Sequence, residues 1–132
     1  MCFKVLLLLV GLVGFTEQTT LKVKTTVHCY LGVASWCYEL KYYEQDKTHS
    51  EYLNQIDWHC TDRGVEMRET DITVDADEDA NIELYGQIRH NCTADNSEKI
   101  EEKMVSDVHP YDSPDVREVT NTWRLDKPNT PQ

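Results

Sequence analysis

Leu21-Lys22-Val23-Lys24-Thr25-Thr26-Val27-His28-Cys29 alternates without a break. Leu21, Val23, Thr25, Val27 and Cys29 share one parity, and Lys22, Lys24, Thr26 and His28 take the other. Successive side chains of an extended backbone point to opposite faces, so a period of two marks a strand with one buried face. Leu31-Gly32-Val33-Ala34-Ser35 then reads as a short turn, and the alternation resumes. Trp36, Tyr38, Leu40 and Tyr42 alternate with Cys37, Glu39, Lys41 and Tyr43, a second strand rich in the aromatic residues that favour sheets.

The same reading extends along the chain. Residues 45–51 are polar and predict a loop. Ile56, Trp58 and Cys60 fall on one face of a third strand, and Trp36, Tyr38, Tyr42 and Trp58 are expected in the core. Thr61-Asp62-Arg63-Gly64 has the Asp and Gly of a tight turn, after which Val65-Glu66-Met67-Arg68 begins a short fourth strand. Ile82, Leu84, Gly86, Ile88, His90 and Cys92 keep one parity through a long fifth strand. Residues 99–108 are ambiguous: Ile100, Met104 and Val108 have helical spacing, whereas Val105 and Val108 suit a strand. Residues 116–125 form a last strand with Val119, Trp123 and Leu125 inward. Several short strands separated by loops, with little helix, predict an all-β antiparallel sandwich.

Length and charge bound the function. A chain of 132 residues is one domain's worth, which excludes a large multidomain enzyme. Asp and Glu number 24 against 13 Lys and Arg, a formal net charge of −11. Phosphate contacts need clustered cations, so a general nucleic-acid binder is disfavoured. The balance favours a partner with a basic or neutral surface. Met1-Cys2-Phe3-Lys4 carries one cation, Val5 to Val13 is an apolar run, and small Gly14 and Thr16 precede Glu17-Gln18. That is the plan of a secretory signal peptide over residues 1–16. The run falls short of the roughly 20 apolar residues of a membrane-spanning helix, so no transmembrane anchoring is expected. The remaining organisation is a sandwich domain over residues 17–125 and a loose tail over residues 126–132.

Export bears on the sulfurs. Without Cys2, four cysteines remain, Cys29, Cys37, Cys60 and Cys92. In an oxidising compartment they are expected to form two disulfides, for which three pairings exist. If the second strand runs antiparallel to the third and the fifth, all four gather at one pole of the sandwich. Asn91-Cys92-Thr93 is a glycosylation sequon with Asn91 as its acceptor, although its middle residue is a half-cystine.

Several segments together resemble the nematode transthyretin-like family of secreted proteins. Val27-His28-Cys29 followed by Gly32 and Ala34 is similar to its opening strand and first turn. Tyr38-Glu39-Leu40-Lys41-Tyr42-Tyr43-Glu44-Gln45-Asp46 is similar to its second strand and the acidic loop after it. Thr61-Asp62-Arg63-Gly64-Val65-Glu66-Met67 resembles its Thr-Asp and Gly turn, and Ile88-Arg89-His90-Asn91-Cys92 its Ile-Tyr-His-Asp-Cys segment. The resemblance covers about Leu21 to Leu125 and is that of a divergent member. The first-turn proline and two later cysteines of the family are missing, while Cys37 and Cys60 are particular to this chain. It implies a transthyretin-like (prealbumin-type) sandwich of seven or eight strands, disulfide-stapled. It also implies a Cys29–Cys92 bridge, which leaves Cys37 for Cys60, and an extracellular, non-enzymatic binding role as a ligand carrier or bridging module.

Other chemistries are weaker. A related branch of that fold hydrolyses a urate product and ends in Tyr-Arg-Gly-Ser, whereas this chain ends Pro128-Asn129-Thr130-Pro131-Gln132. There is no Gly-x-Ser-x-Gly elbow, His-Glu-x-x-His helix or phosphate loop. An enzyme is therefore not expected, and no cofactor is implied. The alternatives are a secreted metal-binding protein using His and Cys, or a secreted modulator without a small ligand. For metal, His28 and His59 point away from their Cys neighbours, which leaves His90 and Cys92 on one face as the candidate pair. The acid-rich stretch at residues 71–83 holds Asp75, Asp77 and Asp79 at the spacing of a calcium loop. Ala80 stands where that loop needs Gly, and Gly86 where it needs a bidentate Glu. The stretch reads instead as a solvated loop offering Asp75, Asp77, Glu78 and Asp79 to a partner. Tyr30, Tyr43 and Tyr52 lie off the core parity or in loops and are candidates for an interface.

Overall fold

The computed structural model describes residues 18–45, 50–75, 82–108 and 116–126. The expected signal segment, most of the tail, and Asp77, Glu78 and Asp79 of the acidic loop lie outside them. The described residues form seven strands: β1 (Gln18–His28), β2 (Trp36–Gln45), β3 (Ser50–Thr61), β4 (Val65–Asp75), β5 (Ile82–His90), β6 (Lys99–Val108) and β7 (Val116–Arg124). One sheet has the order β4-β1-β7 and the other β3-β2-β5-β6. All neighbours are antiparallel except β1 and β7, which run parallel.

The alternation in β1, β2 and β5 does what its period requires. Leu21, Val23, Val27, Tyr38, Leu40, Tyr42, Leu84 and Ile88 are fully enclosed between the sheets. The core also holds a polar chain that ties three strands. Trp123 Nε1 donates to Asn121 Oδ1 (2.8 Å), Asn121 Nδ2 donates to Thr25 Oγ1 (3.1 Å), and Thr25 Oγ1 is hydrogen-bonded to the Tyr42 hydroxyl. Each buried polar atom in it finds a partner, which is the condition for burying them at all. Gly86 leaves room for an indole: a Cβ there would meet Trp123 Cζ2 at 2.7 Å.

β2 pairs antiparallel with both β3 and β5, so the four cysteines meet at one pole. Cys29 is bonded to Cys92 and Cys37 to Cys60, the pairs that the family resemblance implies. The first crosses between the sheets, with Cα atoms 6.0 Å apart; the second joins directly paired residues of β2 and β3. The turns of this pole are held by Cys29 N–H donating to Gly64 O (2.9 Å) and Trp36 Nε1 donating to Arg63 O (2.7 Å).

Three expectations need correction, and one open reading is decided. Trp58 is not in the core but 37% exposed. Tyr38 pairs with His59 and Leu40 with Ile56, so β3 carries one extra residue there. That bulge turns both Asp57 and Trp58 outward and brings Cys60 to the outer face, where Cys37 already points; a bulge re-aims the side chains beyond it. β3 also begins at Ser50, inside the expected polar loop, because Glu51 and Tyr52 pair with Glu44 and Tyr43. β4 is not short: it continues through Asp71 to Asp75, with Ile72 and Val74 buried and Asp71 turned to solvent. Residues 99–108 are strand, and Ile100 and Met104 face solvent at 62% and 48% exposure.

The inner side of β6 explains that inversion. Lys99, Glu101 and Lys103 pair with the inward-facing His90, Ile88 and Gly86 of β5. β6 is the fourth strand of its sheet, while β7 ends the facing sheet of three. Lys103 reaches across this gap. Its Nζ lies 4.3 Å from the Trp123 ring centroid and donates to the Thr122 carbonyl.

Candidate binding surface

The three bulges of the larger sheet align its outer face. β5 carries Tyr85 and Gln87 on the parity opposite Leu84 and Ile88, and β2 carries Lys41 and Tyr43 opposite Leu40 and Tyr42. The register pairs Tyr52 with Tyr43, Tyr43 with Tyr85, and Tyr85 with Met104. Four side chains therefore form one row across all four strands, about 14 Å from end to end at the usual strand spacing. Tyr43 and Tyr52 meet edge to face, with centroids 6.0 Å apart. Tyr52 is 51% exposed, and Tyr43 and Tyr85 are half-buried.

Parallel to it runs a polar row of Gln55, Lys41, Gln87 and Glu102. Gln87 Nε2 donates to Glu102 Oε1. A cavity of about 170 Å³ opens at the tyrosine row, lined by Tyr43, Gln45, Ser50, Tyr85, Gln87 and Glu102 along with the Gly86 backbone. Nearer the cysteine pole, Arg89 stacks 4.6 Å over the Trp58 ring. Its guanidinium approaches Glu39 and Glu98, each at 3.6 Å.

The outer face of the smaller sheet is different. It carries exposed ion pairs, Lys22 with Glu69 at 3.3 Å and Lys24 with Glu118 at 3.2 Å. Such pairs contribute little energy and keep a surface solvated. Tyr30 is not on the tyrosine row. It sits at the cysteine pole, where its hydroxyl contacts His28 Nδ1 at 2.6 Å.

The residues singled out for metal are otherwise engaged. Cys92 is in a disulfide, and its N–H donates to His90 Nδ1 at 3.1 Å. That bond fixes the imidazole proton on Nε2, which lies 3.3 Å from Glu101 Oε2 but is not aligned as a hydrogen bond. His90 is fully buried, and burial, helped by the Lys99 charge, pushes its pKa down to about 4. Burial also lifts the Glu101 carboxyl above its usual range. The contact is thus one of a neutral ring with a carboxyl group, not an ion pair. His59 lies elsewhere, 3.4 Å from Glu66 and edge-on to Tyr38. Among the described residues no three His, Cys, Asp or Glu side chains converge as metal ligands do.

Asn91 has a structural task. Its N–H donates to Cys37 O (3.1 Å), and its side-chain Oδ1 accepts from Cys37 N–H (2.6 Å). The amide thus prolongs the β2–β5 ladder one step beyond the end of β5. Of the acidic-loop residues, Asp75 closes β4.

The family described as "Caenorhabditis elegans protein of unknown function (DUF870)" matches residues 24–121, well over half of the chain. The chain belongs to that family. The DUF870 match runs from β1 into β7 and includes both disulfides and the entire tyrosine row. It is consistent with a nematode-specific family. No curated protein and no solved structure matches the chain.

Of the three tyrosines expected at an interface, Tyr43 by its parity and Tyr52 by its place beside the polar loop fall on the row, and Tyr30 does not. Tyr85 and Met104 were missed, although Tyr85 stands between Leu84 and Gly86 and so had to face outward. Met104 had no such signal, because the spacing of Ile100 and Met104 suggested a helix.

Proposed function

We propose that the protein is a secreted, extracellular, non-catalytic binding protein. Its partner meets the outer face of the β3-β2-β5-β6 sheet. The observation that carries this is the Tyr52–Tyr43–Tyr85–Met104 row: aromatic residues and Met are enriched at recognition surfaces, where they add contact area at small entropic cost. Two disulfides fit an oxidising compartment, as does the signal-like plan of residues 1–16. Seven antiparallel-rich strands in two layers, with a bridge from the end of β1 to Cys92, support the transthyretin-like type of sandwich. The charge of −11 favours a partner that is basic or neutral.

The test is to retain partners from extracellular fluid on the immobilised protein and on two variants. A Tyr43→Ser/Met104→Ser double variant should lose the partner, whereas Lys22→Gln/Glu69→Gln on the opposite sheet should keep it. Equal retention by all three would refute the assignment of this face. Expression with the native N-terminus should yield protein in the medium that begins near Glu17, and retention inside the cell would refute secretion.

A further inference from the structure

The cavity in the tyrosine row has a lining with a distinct chemistry. Two phenol rings, Tyr43 and Tyr85, form its apolar part. The carboxamides of Gln45 and Gln87, the Ser50 hydroxyl and the Glu102 carboxylate form its polar part. Three ligand classes fit such a lining poorly. It holds no Lys, Arg or His to balance an anion and does hold the Glu102 carboxylate, and the whole chain is acidic, so a phosphate or sulfate group is disfavoured there. A wholly apolar ligand would strip water from four polar side chains and give them nothing in return. A lipid or drug-sized molecule needs a cavity of at least about 300 Å³, against about 170 Å³ here.

A neutral, polyhydroxylated ring meets every requirement. Its C–H faces pack on aromatic rings. Its neighbouring hydroxyls both donate and accept, which suits planar groups with two polar atoms side by side, such as Gln and Glu. Gln87 and Glu102 are already bonded to each other, so their polar edges are held in place before a ligand arrives. The row continues beyond the cavity to Tyr52 on one side and Met104 on the other, which gives further units of a chain a place to lie.

We infer that the cavity between Tyr43, Tyr85, Gln87 and Glu102 binds one saccharide unit of a neutral glycan. This deepens the binding-surface reading and rests on it. A ligand of about a dozen heavy atoms in a shallow site binds in the millimolar range, and longer oligomers that engage the row bind more tightly.

The test is a titration of the full mature chain followed by backbone amide NMR. The probes are the methyl glycosides of glucose, galactose, mannose and N-acetylglucosamine, with inorganic phosphate and octanoate for comparison. At least one glycoside should shift the amides of Tyr43, Tyr85, Gln87 and Glu102 in a saturable way. Gln87→Leu, an outward-facing change of similar volume, should weaken that response tenfold or more; Lys22→Gln should leave it intact. Tyr85→Ala should act like Gln87→Leu, and the latter suffices if the former fails to fold. Silence toward all four glycosides, an undiminished response in Gln87→Leu, or stronger binding of phosphate or octanoate would each overturn the inference. If the glycosides fail while Tyr43→Ser/Met104→Ser still loses its extracellular partner, the saccharide assignment falls and the surface assignment stands. If both fail, neither survives.

Discussion

His90 shows how one buried side chain sets a pH response. Folded, it stays neutral down to about pH 4; unfolded, it protonates near 6.5. The unfolded state therefore takes up the proton first. The stability that His90 contributes is complete above pH 6.5 and is lost as the pH falls toward 4, by roughly 3 kcal/mol in all. Glu101 works in the opposite sense. Its raised carboxyl pKa favours the fold at low pH, and that contribution fades as the pH rises through its folded value. Urea unfolding followed between pH 7 and 4 should show a marked fall in the native chain and a shallower one in His90→Gln, whose amide still accepts from Cys92 N–H. Gly86 acts by space alone. A methyl group there would press on a rigid indole, so Gly86→Ala should cost about 1–3 kcal/mol in chemical denaturation, the usual penalty for overfilling a packed core.

Among the elements, β1, β2, β5 and β7 were legible because their alternation is unbroken and one face is wholly buried. In β3 the parity of Ile56, Trp58 and Cys60 misled, since one inserted residue reverses every side chain beyond it and leaves no mark in composition. Cys37 carried the missing clue: it lies on the outer parity of β2, so a partner in β3 had to face outward too. β4 hid behind its carboxylates, although Ile72 and Val74 keep the period of two through them. β6 escaped because Lys99, Glu101 and Lys103 take the inward parity while Ile100 and Met104 face solvent, the reverse of an ordinary edge strand. The tyrosine row was half visible for the same reason, since it depends on bulges opposite Tyr43 and Tyr85. The end of β5 gives an element-scale prediction. Asn91→Ala removes the acceptor for the Cys37 N–H and should cost about 1–3 kcal/mol. Asn91→Asp, which keeps an oxygen at that place, should cost less in the same melting experiment.

For the whole molecule, both covalent links lie at one end. The Cys29–Cys92 bridge spans 63 residues and the Cys37–Cys60 bridge 23. By loop closure the former restrains the unfolded chain by about 4 kcal/mol and the latter by about 3 kcal/mol. Paired Cys→Ser variants should rank in that order in chemical denaturation, and a larger loss for the shorter bridge would contradict the ranking. The opposite end is held by hydrogen bonds and packing alone. Amides near Gln45 and Leu84 should therefore exchange with solvent faster than those near Cys37 and His90.

The reach of Lys103 to the Thr122 carbonyl bears on life at high concentration. A border strand with open backbone groups invites a second copy to add its own strand, and proteins commonly blunt such borders with lysine. Here one ammonium, held over Trp123, already occupies part of that template. Lys103→Met would clear it while keeping an unbranched apolar stem against Trp123, and sedimentation velocity should then reveal more dimers and larger stacks than the native chain forms. Solubility at high concentration would then depend in part on one amino group.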